Sequence, residues 1–258
     1  MPFTPSHIAA VLPLVSSPRM RKLADPWALA VGAMVPDLPI FFPFLPDYTD
    51  WHSLRSVFTL DLAAVVVLLG VFHAFFRDPL IALLPPSLAG RAATLLPSSR
   101  MESLLPIVIG AVVGAASHVL WDSFTHVSAV DHWGAWMDHS VFGVIRFFRL
   151  LQYLSSVVGL AVVIWWAWRN LSRMDAAAVP ERLRISPWVR RTVVAAATLG
   201  VVAGAFLWPL VDEPSPDLGV PSVITKVGAG TLVGLCLVLT CYATVWQVNR
   251  LVAISEGA

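Results

Sequence analysis

Apolar positions in this chain gather into long runs with no strand-like alternation. Five runs, at about 57–76, 104–125, 144–168, 190–211 and 223–248, reach the roughly 20 residues a helix needs to cross a bilayer. The last three hold few ionisable groups and are expected to be scaffold. Two shorter apolar runs precede them, at about 5–15 and 26–35, separated by a basic, Ser- and Pro-containing segment. At about 1.5 Å of rise per residue, neither run is long enough to span. Together they predict a helical hairpin that enters the membrane part way. The alternative is one ordinary span at about 27–46, which makes six spans instead of five. Thr4 followed by Pro5 suggests a helix cap at the hairpin's start. The segment at about 85–103 is rich in Pro, Ser and Leu and predicts a loop with one surface helix.

The expected fold class is therefore all-α: a polytopic helical membrane protein with five or six spans and an N-terminal re-entrant helical hairpin. Residues 1–258 are expected to form a single integral membrane domain, with a site-bearing part at 1–168 and a two-span helical scaffold at 169–258.

Composition agrees with the runs. Hydrophobic residues make up 57% of the 258, and charged residues only 13%, against about 25% in soluble domains. Mean hydropathy is +0.76. The net charge of +1 carries no signal for nucleic acid. Cys236 and Cys241 lie five apart in one apolar run and are expected to be small buried hydrophobes, with neither a disulfide framework nor a C-x-x-C metal pair. The basic residues Arg19, Arg21 and Lys22 follow the first apolar run instead of preceding it, unlike a cleavable signal.

Arginine placement predicts the orientation. Arg169, Arg173, Arg182, Arg184, Arg190 and Arg191 mark the segment at 169–191 as cytoplasmic, and Arg77, Arg91 and Arg100 do the same for 77–103. Asp212, Glu213 and Asp217 mark the opposite side, and 126–143 holds no Lys or Arg. The expected location is the inner or plasma membrane, with the C-terminus cytoplasmic. Arg146 and Arg149 run against this pattern at the outer end of their span, which suits them to contact an anionic substrate.

Polar groups now stand out against the apolar background. His118 and Asp122 close the run that begins at Leu104. One helical turn apart, they leave the same face. Ionisable groups inside a span are costly and normally face a polar cavity or each other. A His and a carboxylate also suit a divalent metal such as zinc, while a hydrogen-bonded pair between packed helices is the plainer reading. Asp37 sits between Pro36 and Pro39, which force a turning backbone. A turn aspartate is often only a local cap, but the hairpin brings it beside His7. Under the predicted threading, His7, Asp37, His52, Asp61, His118, Asp122 and His126 all fall at the outer end of the bundle. His132 and His139 are expected to be ordinary polar loop residues, and His73 to serve packing. No G-x-S-x-G elbow, glycine-rich phosphate loop or H-E-x-x-H is present.

Four strings in the chain resemble one known family. They are Met-Pro-Phe-Thr-Pro-Ser-His7, Gly32-Ala33-Met34-Val35-Pro36-Asp37, Ser117-His118-x-x-Trp121-Asp122-x-Phe124-Thr125-His126, and Gln152 followed by Ser155-Ser156. Together they resemble, over the whole chain, the bacterial membrane-protein family catalogued as domain of unknown function 4184. More distantly, the layout is similar to membrane-bound metal-dependent hydrolases, which carry an N-terminal His, a Gly-x-x-x-Pro-Asp turn, a His-Ser and a Ser-His-x-x-x-Asp helix. These motifs fall on His7, Asp37, His52-Ser53 and His118/Asp122. That group in turn looks related to the all-helical zinc-dependent phospholipase C superfamily. The fuller His-Arg-x-x-Thr-His-Ser string of the hydrolases is reduced here to His52-Ser53.

Residues and resemblance together set one expectation: a membrane-embedded metal-dependent hydrolase. His7, Asp37, His52, His118 and Asp122 would hold a divalent metal, zinc before manganese. Asp37 would serve catalysis as well, and Arg146 and Arg149 would contact a phosphoester or lipid at the outer face. Membrane lipid is the expected partner and nucleic acid is not. The rival expectation is a non-enzymatic membrane protein whose His/Asp cluster is structural.

Overall fold

The computed structural model describes residues 3–95 and 104–256. Met1 and Pro2 of the opening motif, and Arg100, lie outside the described residues. The fold is helical throughout, and among the described residues the only strands are the two-residue pair β1 (Ser140–Val141) and β2 (Ile145–Arg146).

The predicted hairpin forms. Its arms are α1 (Ile8–Ser16) and α2 (Pro26–Gly32), joined through a short helical turn at Met20–Leu23. Nine residues of α1 rise only about 14 Å, less than half of a bilayer core. Asp25 caps α2 by accepting a bond from the Ala28 amide at 2.9 Å, with Pro26 at the first helical position. Among the described residues, five helices are long and apolar enough to span: α3 (Leu54–Leu83), α4 (Leu105–Thr125), α5 (Phe147–Arg173), α6 (Pro187–Val211) and α7 (Val220–Glu256), the last over Val220–Val252. They match the five apolar runs. The surface helix expected near 85–103 is Pro86–Ala93.

Contacts divide the chain into two units, Met1–Leu69 with Pro97–Asn170, and Gly70–Leu96 with Leu171–Ala258. In the first unit the hairpin packs on α4 through small residues. Gly110 and Gly114 are one helical turn apart on α4, so they share a face. A Cβ on Gly114 would fall 2.5 Å from the Leu29 carbonyl oxygen, and one on Gly110 2.7 Å from that of Asp25. The two backbones therefore approach as closely as small-xxx-small membrane packings allow. Gly32 completes the contact from the hairpin side, its missing Cβ facing the Ala111 carbonyl. The next residues on this four-residue ladder are His118 and Asp122, so the stripe that seats the hairpin also aims the site at it.

A second tie fixes the hairpin's start. The Ser6 hydroxyl donates to the Ser156 carbonyl at 2.7 Å, and the Phe3 amide donates to the Ser156 hydroxyl at 2.9 Å. This is the structural use of the Gln152/Ser155-Ser156 string. Thr4 is not the expected cap. It lies inside the 3-10 turn Thr4–His7, and its hydroxyl turns inward to Asp37, because a buried carboxylate offers a stronger acceptor than a helix terminus.

In the second unit, α6 and α7 pack through Gly200, Gly204, Gly230 and Gly234. Ile81, Ala82, Ala89, Ala92 and Leu183 form a small core. A π-helical turn, Phe72–Phe76, interrupts α3, and the Gln247 amide donates to the Phe75 carbonyl there at 2.9 Å. His73 lies in this turn. Cys236 and Cys241 are exposed, contrary to expectation. The outside of a membrane helix is itself apolar, so a small thiol gains nothing by burial.

Candidate metal centre

Four segments distant in sequence deliver the predicted cluster. The 3-10 turn Thr4–His7 places His7, the turn Val35–Asp37 places Asp37, the short helix Tyr48–Trp51 ends at His52, and α4 carries His118 and Asp122. All are buried except His52, which is nearly so: His118 and Asp37 are 0% exposed, His7 3% and Asp122 4%.

Asp37, His52, His118 and Asp122 each offer one ligand atom, and these four atoms lie within 4.8 Å of one another. His118 Nε2 is 3.4 Å from Asp37 Oδ1 and 3.5 Å from Asp122 Oδ2. His52 Nε2 is 3.7 Å from Asp37 Oδ1 and 3.4 Å from Asp122 Oδ2. These spacings are long for N–H···O bonds, which peak near about 2.9–3.0 Å. They are close to the spacing of ligand atoms that share one metal: zinc–ligand distances of about 2.0–2.2 Å separate neighbouring ligand atoms by about 3.3–3.6 Å.

The tautomers are set for ligation. A carbonyl oxygen only accepts, so the 2.8 Å contact of His118 Nδ1 with the Ala33 carbonyl places the proton on Nδ1. His52 Nδ1 likewise donates to the Tyr48 carbonyl at 2.9 Å. With Nδ1 committed to a carbonyl, each ring can offer Nε2 to a metal in place of a proton, the arrangement that outer hydrogen bonds give to metal-binding histidines. His118 Nε2, His52 Nε2 and Asp37 Oδ1 are buried and have no hydrogen-bond partner. Such groups are costly when left unpaired, as are two buried carboxylates side by side. A divalent cation at their common centre satisfies all of them and offsets the charge, so the residues present fit the metal.

Around this set lies an outer layer. The Thr4 hydroxyl donates to Asp37 Oδ2 at 2.6 Å. The Tyr48 hydroxyl donates to Asp122 Oδ2 at 3.1 Å, and its ring stacks on His52 at 3.7 Å. Thr125 reaches Asp122 Oδ1 at 3.3 Å. His126 Nδ1 donates to the Asp122 carbonyl at 2.9 Å, and its Nε2 lies 3.3 Å from the Tyr48 hydroxyl. Burial, with the charges of Asp122 and Asp37, holds the Tyr48 phenol well above its usual pKa. Burial lowers His126. Burial alone would raise the Asp37 carboxyl, but the His118 ring beside it wins and keeps it below its ordinary value.

His7 stands at the edge of the four. Its Nε2 is 3.4 Å from Asp122 Oδ1, and its ring stacks on His118 with centroids 3.7 Å apart. Neither of its ring nitrogens has a hydrogen-bond partner. Burial, with the His118 ring beside it, pushes its pKa down to about 4, so the ring is neutral near pH 7.

Asp61 is buried beside this region and accepts from the Ser56 hydroxyl at 3.1 Å. Arg146 pairs with Asp138 at 2.7 Å, and Arg149 donates to Gln152 at 2.6 Å and lies over the Phe148 ring. These partners are outside the cluster. His132, expected in a loop, lies in the short helix Ala129–Trp133 and bonds the Ser128 carbonyl.

Tyr48 and Thr125 had no role assigned from the sequence, and Thr4 only that of a helix cap. His126 was placed at the same end without a partner. Its position four residues beyond Asp122 repeats the His118/Asp122 spacing, and that signal was available. Thr4 and Tyr48 sit in short irregular segments where no periodicity points anywhere. No curated protein and no solved structure shows a significant match to this chain. The profile described as Domain of unknown function (DUF4184) covers residues 1–244, and the chain therefore belongs to that family.

Proposed function

We propose that the chain is a membrane-embedded, metal-dependent hydrolase in which His52, His118, Asp37 and Asp122 hold one divalent metal, zinc by preference. The observation that carries this is the convergence of four ligand atoms within 4.8 Å of one another, two of them on histidines whose Nδ1 is held by a backbone carbonyl. With four protein ligands present, a water would have to join as a further ligand; a bound zinc would lower its pKa toward about 7 and so supply a nucleophile at neutral pH. Asp37 has Oδ2 taken by Thr4 and turns Oδ1 to the centre, which suits it to ligation. His7, neutral and without a hydrogen-bond partner, is then the group placed to accept a proton at Nε2. Tyr48 stacks on His52 and holds Asp122, orienting two ligands at once.

The arginine pattern supports placing the centre at the outer face of the plasma membrane, with 169–191 cytoplasmic. Arg146 and Arg149 are on the same side in that orientation and remain the proposed anion contacts. A cysteine introduced within 126–143 should react with a membrane-impermeant reagent from outside.

The test is metal analysis of detergent-purified protein beside His118→Ala and Asp122→Ala, followed by turnover of phosphoesters. About one zinc per chain, lost in both variants together with turnover, is the expected result. Chelator-free protein without stoichiometric metal would overturn the reading and leave the cluster as a helix staple.

A further inference from the structure

A groove of about 380 Å³ runs along the first unit past His7, between α1, Trp121 of α4 and α5. Its polar lining is confined to Ser6, His7 and Ser155. The rest is apolar, including Ala10, Trp121, Leu154 and Val158. Leu154 and Val158 are about half exposed, so the groove opens sideways from helices that span the membrane.

The width comes from small residues. A Cβ on Gly159 would lie 2.9 Å from the Ser6 carbonyl oxygen, so glycine is what lets the hairpin sit down on α5 at the groove's floor. The length comes from α5. The lining from Leu151 to Val162 extends over twelve residues, a rise of about 16 Å. One leaflet contributes about 15 Å of a hydrocarbon core about 30 Å thick. The start of α5 adjoins the segment that follows α4, so both the cluster and Leu151 belong to the same end of the helix pair. Ser6 bonds Ser156 and abuts Gly159, so the polar patch of Ser6, His7 and Ser155 lies part way along this length, with apolar wall on either side.

From this geometry we infer that the groove holds one acyl chain of a bilayer lipid, whose ester-bearing headgroup reaches the cluster past His7. The medium argues for this occupant. A lateral, largely apolar slot with one polar patch beside His7 matches an amphiphile already dissolved in the bilayer, whereas a water-soluble substrate has no use for it. Hydrolysis there adds one water across the headgroup ester, hydroxyl to the attacked centre and proton to the leaving oxygen. The chemistry rests on the hydrolase reading; the binding does not.

The experiment reconstitutes the full chain in phosphatidylglycerol/phosphatidylcholine vesicles doped with a phospholipid bearing a photoactivatable diazirine on one acyl chain. Adducts are mapped by mass spectrometry in wild type, in Ala10→Trp and in Val158→Trp. Both positions are exposed, so an indole there fills the groove without entering the core. Adducts concentrated on 9–10 and 151–162, reduced about tenfold in both variants with zinc content unchanged, are expected. Adducts no denser there than on the exposed face of α6, and indifferent to the variants, would overturn the inference. Turnover of water-soluble bis(p-nitrophenyl) phosphate separates the two readings. Soluble turnover without localised adducts removes the acyl slot alone, and localised adducts without any turnover remove the hydrolase alone.

Discussion

Replacing Thr4 by valine removes one hydroxyl and nearly preserves the shape of the side chain. That hydroxyl donates to Asp37 Oδ2 at 2.6 Å, with Thr4 7% and Asp37 0% exposed. A hydrogen bond to a charged group contributes about 1.5–3 kcal/mol, and its loss leaves a buried carboxylate oxygen unsatisfied. Loss of an outer partner to a metal ligand typically lowers affinity about 10–100-fold, which is about 1.4–2.8 kcal/mol. The two estimates rest on different grounds and agree. Thr4→Val should therefore raise the zinc dissociation constant about 10–100-fold in a chelator-competition titration, with stoichiometry restored at saturating zinc. Thr125→Val is the internal comparison. Its bond to Asp122 Oδ1 is 3.3 Å, beyond the usual O–H···O range of about 2.5–3.0 Å, so its effect should stay within about threefold. An unchanged affinity in Thr4→Val, or a larger loss in Thr125→Val, would refute the view that Asp37 is a ligand oriented through Thr4.

Other outcomes follow from the same geometry. His7→Ala should keep its zinc and lose turnover, while His118→Ala loses both; loss of metal in His7→Ala would make His7 a ligand. Because the folded His7 pKa is about 4, below the ordinary 6.5, the fold favours the neutral ring. Its contribution to stability is full above pH 6.5 and is lost as pH falls toward 4. Denaturant unfolding of metal-free wild type and His7→Gln over that window should show a shallower pH dependence in the variant, and equal slopes would contradict the assignment. Gly114→Leu drives a side chain into the Leu29 carbonyl. Overpacking of this kind costs about 1–3 kcal/mol, so the thermal midpoint should drop and the centre should lose zinc as the hairpin lifts, whereas Gly228→Leu, in open space, should do neither.

Much of this protein is local in origin and so legible in its residue order. Spans are properties of single segments: about 20 apolar residues in lipid must be helical, whatever surrounds them, because the backbone has no other way to satisfy its polar groups. That is why five apolar runs became five long helices. His118 and Asp122 were legible for the same reason, since one helical turn fixes their common face. The hairpin was legible because its arms are too short to cross. What residue order left open is set by packing between segments. Nothing near Thr4 in the chain announces Asp37, 33 positions away, and nothing near Tyr48 announces Asp122. The Gly110/Gly114 stripe and the Ser156 tie bring these segments into register, and their distances depend on backbones separated by more than a hundred residues for the Ser156 tie. Burial of Cys236 and Cys241 also could not follow from apolar neighbours, because in a membrane the exterior of a helix is as apolar as its interior. Secondary structure here answers to the solvent each segment meets, which composition reports. The centre answers to which side chains share one point in space, and only the packed tertiary fold decides that.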